Sequence, residues 1–169
     1  MSHSIRAVAL VALLAALPRP LLAQQADLTP AQVATIKREV ADAVHTYYRL
    51  FSERNMQAMG DRVYHVPWMQ LGARGIDVDT TAEAVVKRNS ASLEGLLTRG
   101  WDRSAFAVPV VCVLNPGAAI ASGTFTRFHK DGSVISESGI TYLFGKTPEG
   151  WKIVSYAGHA TTKLVTCTD

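Results

Sequence analysis

Apolar residues recur at steps of three and four from Val33 through Ile36, Val40, Val44 and Tyr47 to Phe51. That spacing predicts one stripe of a long amphipathic helix ending near Arg54. Its start is marked by Thr29 as cap, Pro30 at the first helical position and Gln32 completing a capping box. Asn55 to Tyr64 predicts a second, shorter helix with Met56 and Met59 as its apolar contacts. From His65 to Ile76 (HVPWMQLGARGI) the pattern becomes a strand or hairpin broken by Gly72 and Gly75, and Pro67 marks an edge or a bulge. Thr80 to Arg99 returns to the helical period. Thr80 and Glu83 fit a capping box, Val85, Val86, Asn89, Leu93, Leu96 and Leu97 form the buried side, and Gly100 stops the helix.

The remainder alternates as strands do. Ser104 to Leu114 is β-branched and apolar, and Asn115-Pro116-Gly117 closes it. Ala118 to His129 follows, then an Asp131-Gly132 hairpin turn, a strand from Ser133 to Gly145, a turn at Thr147-Pro148-Glu149-Gly150, and a final strand from Trp151 to Gly158. Helices first and an antiparallel meander afterwards predict an α+β fold, with the helices packed on one face of a curved sheet.

The first residues lie outside this pattern. Ala7 to Leu17 is an unbroken apolar run after a short segment with one positive charge, and Pro18-Arg19-Pro20 and Leu21-Leu22-Ala23 follow. Spanning a bilayer takes about 20 apolar residues, so the run reads as the core of an export signal at 1–23, cleaved after Ala23. The alternative is a buried or interfacial N-terminal helix. On the first reading the working domain is 24–169, one domain, periplasmic or secreted, with no stable membrane insertion once the signal is removed. The charge balance changes as well. The whole chain has 17 basic and 14 acidic residues; without Arg6 and Arg19 it stands near neutrality. No basic stripe with interleaved aromatics is present, and Lys37-Arg38 and Lys87-Arg88 read as isolated pairs on solvated helix faces, so nucleic acid is not an expected partner. With 48% hydrophobic and 18% charged residues, a disordered chain is excluded. Two cysteines are too few for a disulfide scaffold or a four-thiolate zinc site. Export permits Cys112 and Cys167 to pair; the alternative is two separate thiols, with Cys112 a small core residue.

The long first helix ending AVHTYYRLFSERNMQAM, the short second helix, the capped third helix and the strand finish with GWKIV at Trp151–Val154 resemble the nuclear transport factor 2-like superfamily over about residues 29–160. This is the cystatin-like cone that includes the polyketide-cyclase (SnoaL-like) and ketosteroid-isomerase families. The resemblance implies a cone-shaped α+β barrel, helices in the concave face of the sheet, and a homodimer formed through the sheet's open face. Carried over residue by residue, the isomerase machinery is incomplete. Its oxyanion-hole tyrosine falls on Tyr47. Its carboxylate base would fall near Met69 to Leu71 and its acid near Ile140, where no acid stands. Asp77 and Asp79, in the approach to helix three, read as loop and capping residues.

Other chemistry is sparse. The histidines at 45, 65, 129 and 159 show no helical ligand spacing, so no metal or cofactor is expected. No nucleophile elbow and no glycine-rich phosphate loop occurs. His129 beside the hairpin turn and His159 after the last strand read as exposed. Glu137 lies in a strand whose alternation sets it with 139, 141 and 143, opposite Ile140, Tyr142 and Phe144; it is either a carboxylate facing the cavity or a solvent-facing residue. His65, just before Val66-Pro67-Trp68, stands where pocket residues of the resembled fold sit. Tyr47, Tyr64, Trp68 and Tyr142 are the candidate ligand-contacting residues, with Trp101 and Tyr156 in the same aromatic set. The expectation is an exported binding or accessory domain with an apolar cone for a small apolar or aromatic molecule. The alternative is a cofactor-independent lyase, isomerase or cyclase acting on a small carbonyl compound, with Tyr47 stabilising an oxyanion and His65 or Glu137 moving a proton. A filled cone serving only as an interaction domain is the third possibility.

Overall fold

A reciprocal capping box starts the chain's longest helix: the Gln32 backbone N–H donates to Thr29 Oγ1 at 3.3 Å and the Thr29 N–H donates to Gln32 Oε1 at 2.8 Å. The computed structural model describes residues 27–107 and 110–167; the signal segment expected at 1–23 lies outside the described residues. Helix α1 spans Pro30–Ser52 and α2 spans Met56–Arg62. Strands β1 (Tyr64–Gly72) and β2 (Gly75–Asp79) form a hairpin, and α3 (Ala82–Leu97) follows. Then come β3 (Trp101–Phe106), β4 (Val110–Asn115), β5 (Ala118–His129), β6 (Val134–Thr147) and β7 (Gly150–His159).

The strands form one curved, open sheet in the order β2-β1-β7-β6-β5-β3, with β4 also paired to β5. The expected α+β architecture is present, and three details differ from expectation. The pairing of β1 with β7 is parallel, so the sheet is mixed. The single strand expected at 104–114 is two: β3 pairs with the 125–129 end of β5 and β4 with its 118–122 end. The sequence between them contains Pro109, which has no N–H to continue a ladder. Helix α3 is capped by Thr81, whose Oγ1 accepts from the Ala84 N–H at 3.2 Å, and not by Thr80. The bulge expected near Pro67 coincides with a register shift between Tyr64 and Met69.

Strand alternation sorts the two faces. Ala119, Ala121, Phe125 and Arg127 of β5, Ile140, Tyr142 and Phe144 of β6, and Tyr156 of β7 face the helices. Ala119 and Ala121 are fully buried, as are Val40 and Val44 of α1. Small side chains at that end of β5 leave room for the helix. At Gly123 a Cβ would stand 2.7 Å from the Phe106 ring, so only glycine fits. Of the expected helix stripe, Leu97 is exposed. Tyr48 and Leu50, outside the expected stripe of α1, are buried.

The convex face carries a different feature. After β7 the chain turns back over the sheet, the Val165 N–H donates to Ser122 Oγ at 3.0 Å, and Cys167 is bonded to Cys112 of β4. Ser122 is fully buried and bonds Thr141 Oγ1 at 2.8 Å. Thr141 in turn bonds His159 Nε2 at 2.9 Å, and His159 Nδ1 donates to the Ala160 carbonyl at 2.9 Å. His159 is therefore tied into the sheet, contrary to the exposed position expected. His129 is also tied, donating from Nδ1 to the carbonyl of Gly100, whose φ of 73° suits glycine.

The Cys112–Cys167 bond closes a segment with a sequence separation of 55 residues. Replacing both cysteines with serine is expected to lower unfolding free energy by roughly 2–4 kcal/mol in a urea titration, and to free the tail for proteolysis. An unchanged midpoint would show that the tail does not contribute to the fold.

Candidate functional site

Beyond the closely packed end of the cone, α1 presents Tyr47, Tyr48 and Phe51 to the hollow of the sheet, and the space left between them and the strands is a cavity of about 380 Å³. Tyr142 and Tyr156 line it from β6 and β7, Phe125 and Arg127 from β5, and Arg88, Asn89 and Ser92 from α3. Its polar lining is completed by Gln70, Ser104 and Ser138. A cavity of this size is in the range of small-molecule sites.

The chain has five tyrosines, and all five meet here. Tyr47 packs edge-on against Tyr48 (ring centroids 4.8 Å apart) and Tyr64 (6.1 Å), and lies 5.8 Å from Tyr142. The Tyr48 and Tyr142 hydroxyls are bonded at 2.8 Å, and the Tyr64 hydroxyl reaches Asn89 Oδ1 at 3.4 Å. Burial raises the pKa of every one of them, since a phenolate would be formed in a poorly solvated place. At neutral pH they are neutral hydroxyls; Tyr64 spends its proton on Asn89 and one of Tyr48 and Tyr142 spends its proton on the other. The positive charge of Arg127 acts on Tyr47, Tyr48 and Tyr156 and opposes part of the rise.

The two arginines differ. Arg88 is held in a fork by Asp79, with Nη2 donating to Oδ1 at 3.0 Å and Nε to Oδ2, and Asp77 lies 3.5 Å from Nη1. Asp79 is buried, so the pair ties α3 to β2 while neutralising Arg88. The guanidinium also lies 5.7 Å from the Trp68 ring centroid. Arg127 is half-buried and stacks over Phe125 at 4.9 Å. Among the described residues no carboxylate lies within ion-pairing distance of it. Desolvation lowers its pKa, and the positive charge of Arg99 adds to this.

The expected site residues separate into three groups. Tyr47 and Tyr142 line the cavity. Tyr64 and Trp68 stand behind it: both are buried, and Trp68 packs between Tyr64 (5.1 Å) and Tyr156 (5.2 Å). His65 and Glu137 are exposed and outside the cavity. Glu137 shares the convex face with Thr141, and His65 belongs to a separate surface depression beside Lys152. The arrangement that would bring Tyr47 together with His65 or Glu137 is therefore not formed. Among the described residues no carboxylate lines the cavity, and the one histidine that does, His159, has both ring nitrogens engaged with Thr141 and Ala160. Among the described residues no cluster of three or more histidine, cysteine or acidic side chains could hold a metal ion.

Sequence reasoning passed over Arg88, Asn89, Ser92, Tyr48 and Arg127. Arg88, read above as a solvated-face residue, lies on the Val85–Asn89–Ser92–Leu96 side of α3 by its helical spacing. Asp77 and Asp79, read as loop and capping residues, are its strand partners.

The sequence matches the NTF2-like protein family DUF6841 over residues 38–161, and the chain belongs to that family. Its fold is similar to an NTF2-like protein with a cystatin-like fold from Novosphingobium aromaticivorans: TM-score 0.64, 16% identity, 77% of this chain and 84% of that one covered. It is also similar to an NTF2-like superfamily protein from Salmonella enterica (TM-score 0.57, 18% identity, coverage 78% and 94%). A third similar structure is a domain of unknown function with a cystatin-like fold from Nostoc punctiforme (TM-score 0.59, 13% identity, coverage 82% and 81%). No match was found among the curated proteins.

A tyrosine whose folded pKa is raised contributes stability that is fully present below the unfolded value near 10 and is lost as pH rises toward the folded value. Alkaline titration followed by tyrosinate absorbance is thus expected to show the five tyrosines ionising in one steep step, together with loss of far-ultraviolet circular dichroism. A tyrosine that ionises near pH 10 in the intact fold would contradict the buried cluster.

Proposed function

We propose that this member of the NTF2-like family DUF6841 is an exported domain that holds a small, largely aromatic molecule in its cone and does not transform it. The observation that carries the reading is the cavity itself. It is lined by tyrosine rings and neutral hydroxyls, and among the described residues it offers no carboxylate and no histidine with a free ring nitrogen. Such a lining contributes apolar contact area and hydrogen-bond donors, which is what binding requires. Acid–base turnover would need a proton acceptor within about 3 Å of the reacting atom.

Export is supported by the apolar run at residues 7–17 and agrees with the Cys112–Cys167 disulfide. Among the described residues no helix is long and apolar enough to cross a membrane. A second copy of the chain is the proposed protein partner. Val78, Met69 and Leu143 lie in one cross-strand row on the convex face, with Ile76 and Leu71 in the next, and all five side chains are exposed. A self-complementary apolar patch of this kind suits a two-fold contact. Sedimentation velocity is expected to give a dimer that Leu71→Lys splits; a monomeric wild type would refute this partner.

The binding reading is tested by a thermal-shift screen of residues 24–169 against small aromatic and carbonyl compounds. A ligand of the cone raises Tm with concentration, and Ser138→Phe, which fills the cavity, is expected to abolish the rise while the variant stays folded. A rise that persists in Ser138→Phe would place binding elsewhere, and turnover of a hit would favour the lyase, isomerase or cyclase reading.

A further inference from the structure

The charge of the cavity is not balanced. Asp79 neutralises Arg88 through two parallel hydrogen bonds, and Asp77 lies near the same guanidinium. Arg127 has no such partner among the described residues. It reaches the cavity from the last turn of the alternation Ala119, Ala121, Gly123, Phe125, Arg127 along β5, and it is half-buried there. A guanidinium removed from water without a counter-charge costs free energy that an anion would recover. Its neighbours supply no counter-charge: the Phe125 ring under it gives a cation–π contact, Arg99 repels it, and the surrounding tyrosines are neutral.

We infer that Arg127 is the anchor for the carboxylate of a small aromatic acid, whose ring lies among Tyr47, Tyr48, Phe125, Tyr142 and Tyr156. This rests on the cone being a small-molecule site and names the class of molecule it takes. One uncompensated guanidinium matches a monoanion; its fork geometry matches a carboxylate. The tyrosine hydroxyls can donate to the same oxygens, and the aromatic walls select a flat, apolar body.

Isothermal calorimetry with naphthoate and its neutral isostere naphthamide tests the assignment. Wild type is expected to bind naphthoate roughly tenfold or more tighter than naphthamide, the scale of a charge-assisted hydrogen bond. Arg127→Met is expected to remove that preference, bringing naphthoate affinity down to that of naphthamide, and Arg127→Lys to retain part of it. Equal affinity of wild type for the two compounds, or a preference that survives in Arg127→Met, overturns the assignment and leaves the cone as a neutral binding site. If wild type binds neither compound, the small-molecule reading fails and the assignment with it. The wild-type comparison and Arg127→Lys decide the question even where Arg127→Met does not fold.

Discussion

One long helix lying in the hollow of a sheet is the constraint on which everything else in this chain depends. Along the helix-facing side of β5 the residues run from Ala119 and Ala121 through Gly123 to Phe125 and Arg127. The small ones let α1 approach until Val40 and Val44 are fully buried. The large ones, Phe125 and Arg127, line the cavity. One end of the strand thus serves the buried core and the other the cavity, along one gradient of side-chain size.

The same geometry sets the chemistry. Because the five tyrosines are gathered around the cavity and shielded from water, they remain neutral hydroxyls, not phenolates. Because Asp79 is buried beside Arg88, that pair is a structural tie between α3 and β2. What remains available to a ligand is ring surface, hydroxyls and the charge of Arg127. The proposed binding role rests on this lining, since the fold alone does not distinguish binding from catalysis.

Much of the architecture was legible in the sequence because local signals were strong. The Thr29–Gln32 capping box, the Asp131-Gly132 turn and the helical stripe of α1 all depend on residues close together in the chain. The parallel pairing of β1 with β7 was not legible, since it joins residues about ninety positions apart with no local marker. The site was only partly legible for a related reason. Tyr47 followed from the family resemblance together with the helical stripe, Tyr142 from strand alternation, and the alternation of β6 already set Glu137 opposite Ile140 and Tyr142. Arg88 read as an ordinary surface cation and Arg127 carried no local signal; only the tertiary arrangement distinguishes the one that meets Asp79 from the one that meets no carboxylate among the described residues. Trp68 sits one layer behind the cavity because Tyr64 and Tyr156 flank it, a contact between three strand segments that periodicity does not encode.

The most direct measurement is the arginine side-chain Nε–Hε nuclear magnetic resonance spectrum of the 24–169 chain, recorded as naphthoate is added. The account predicts that the Arg127 resonance moves and saturates, while those of the exposed Arg49 and Arg103 stay in place. An Arg127 resonance that does not respond, or equal movement at the surface arginines, would contradict a cone that carries its own anion-binding charge.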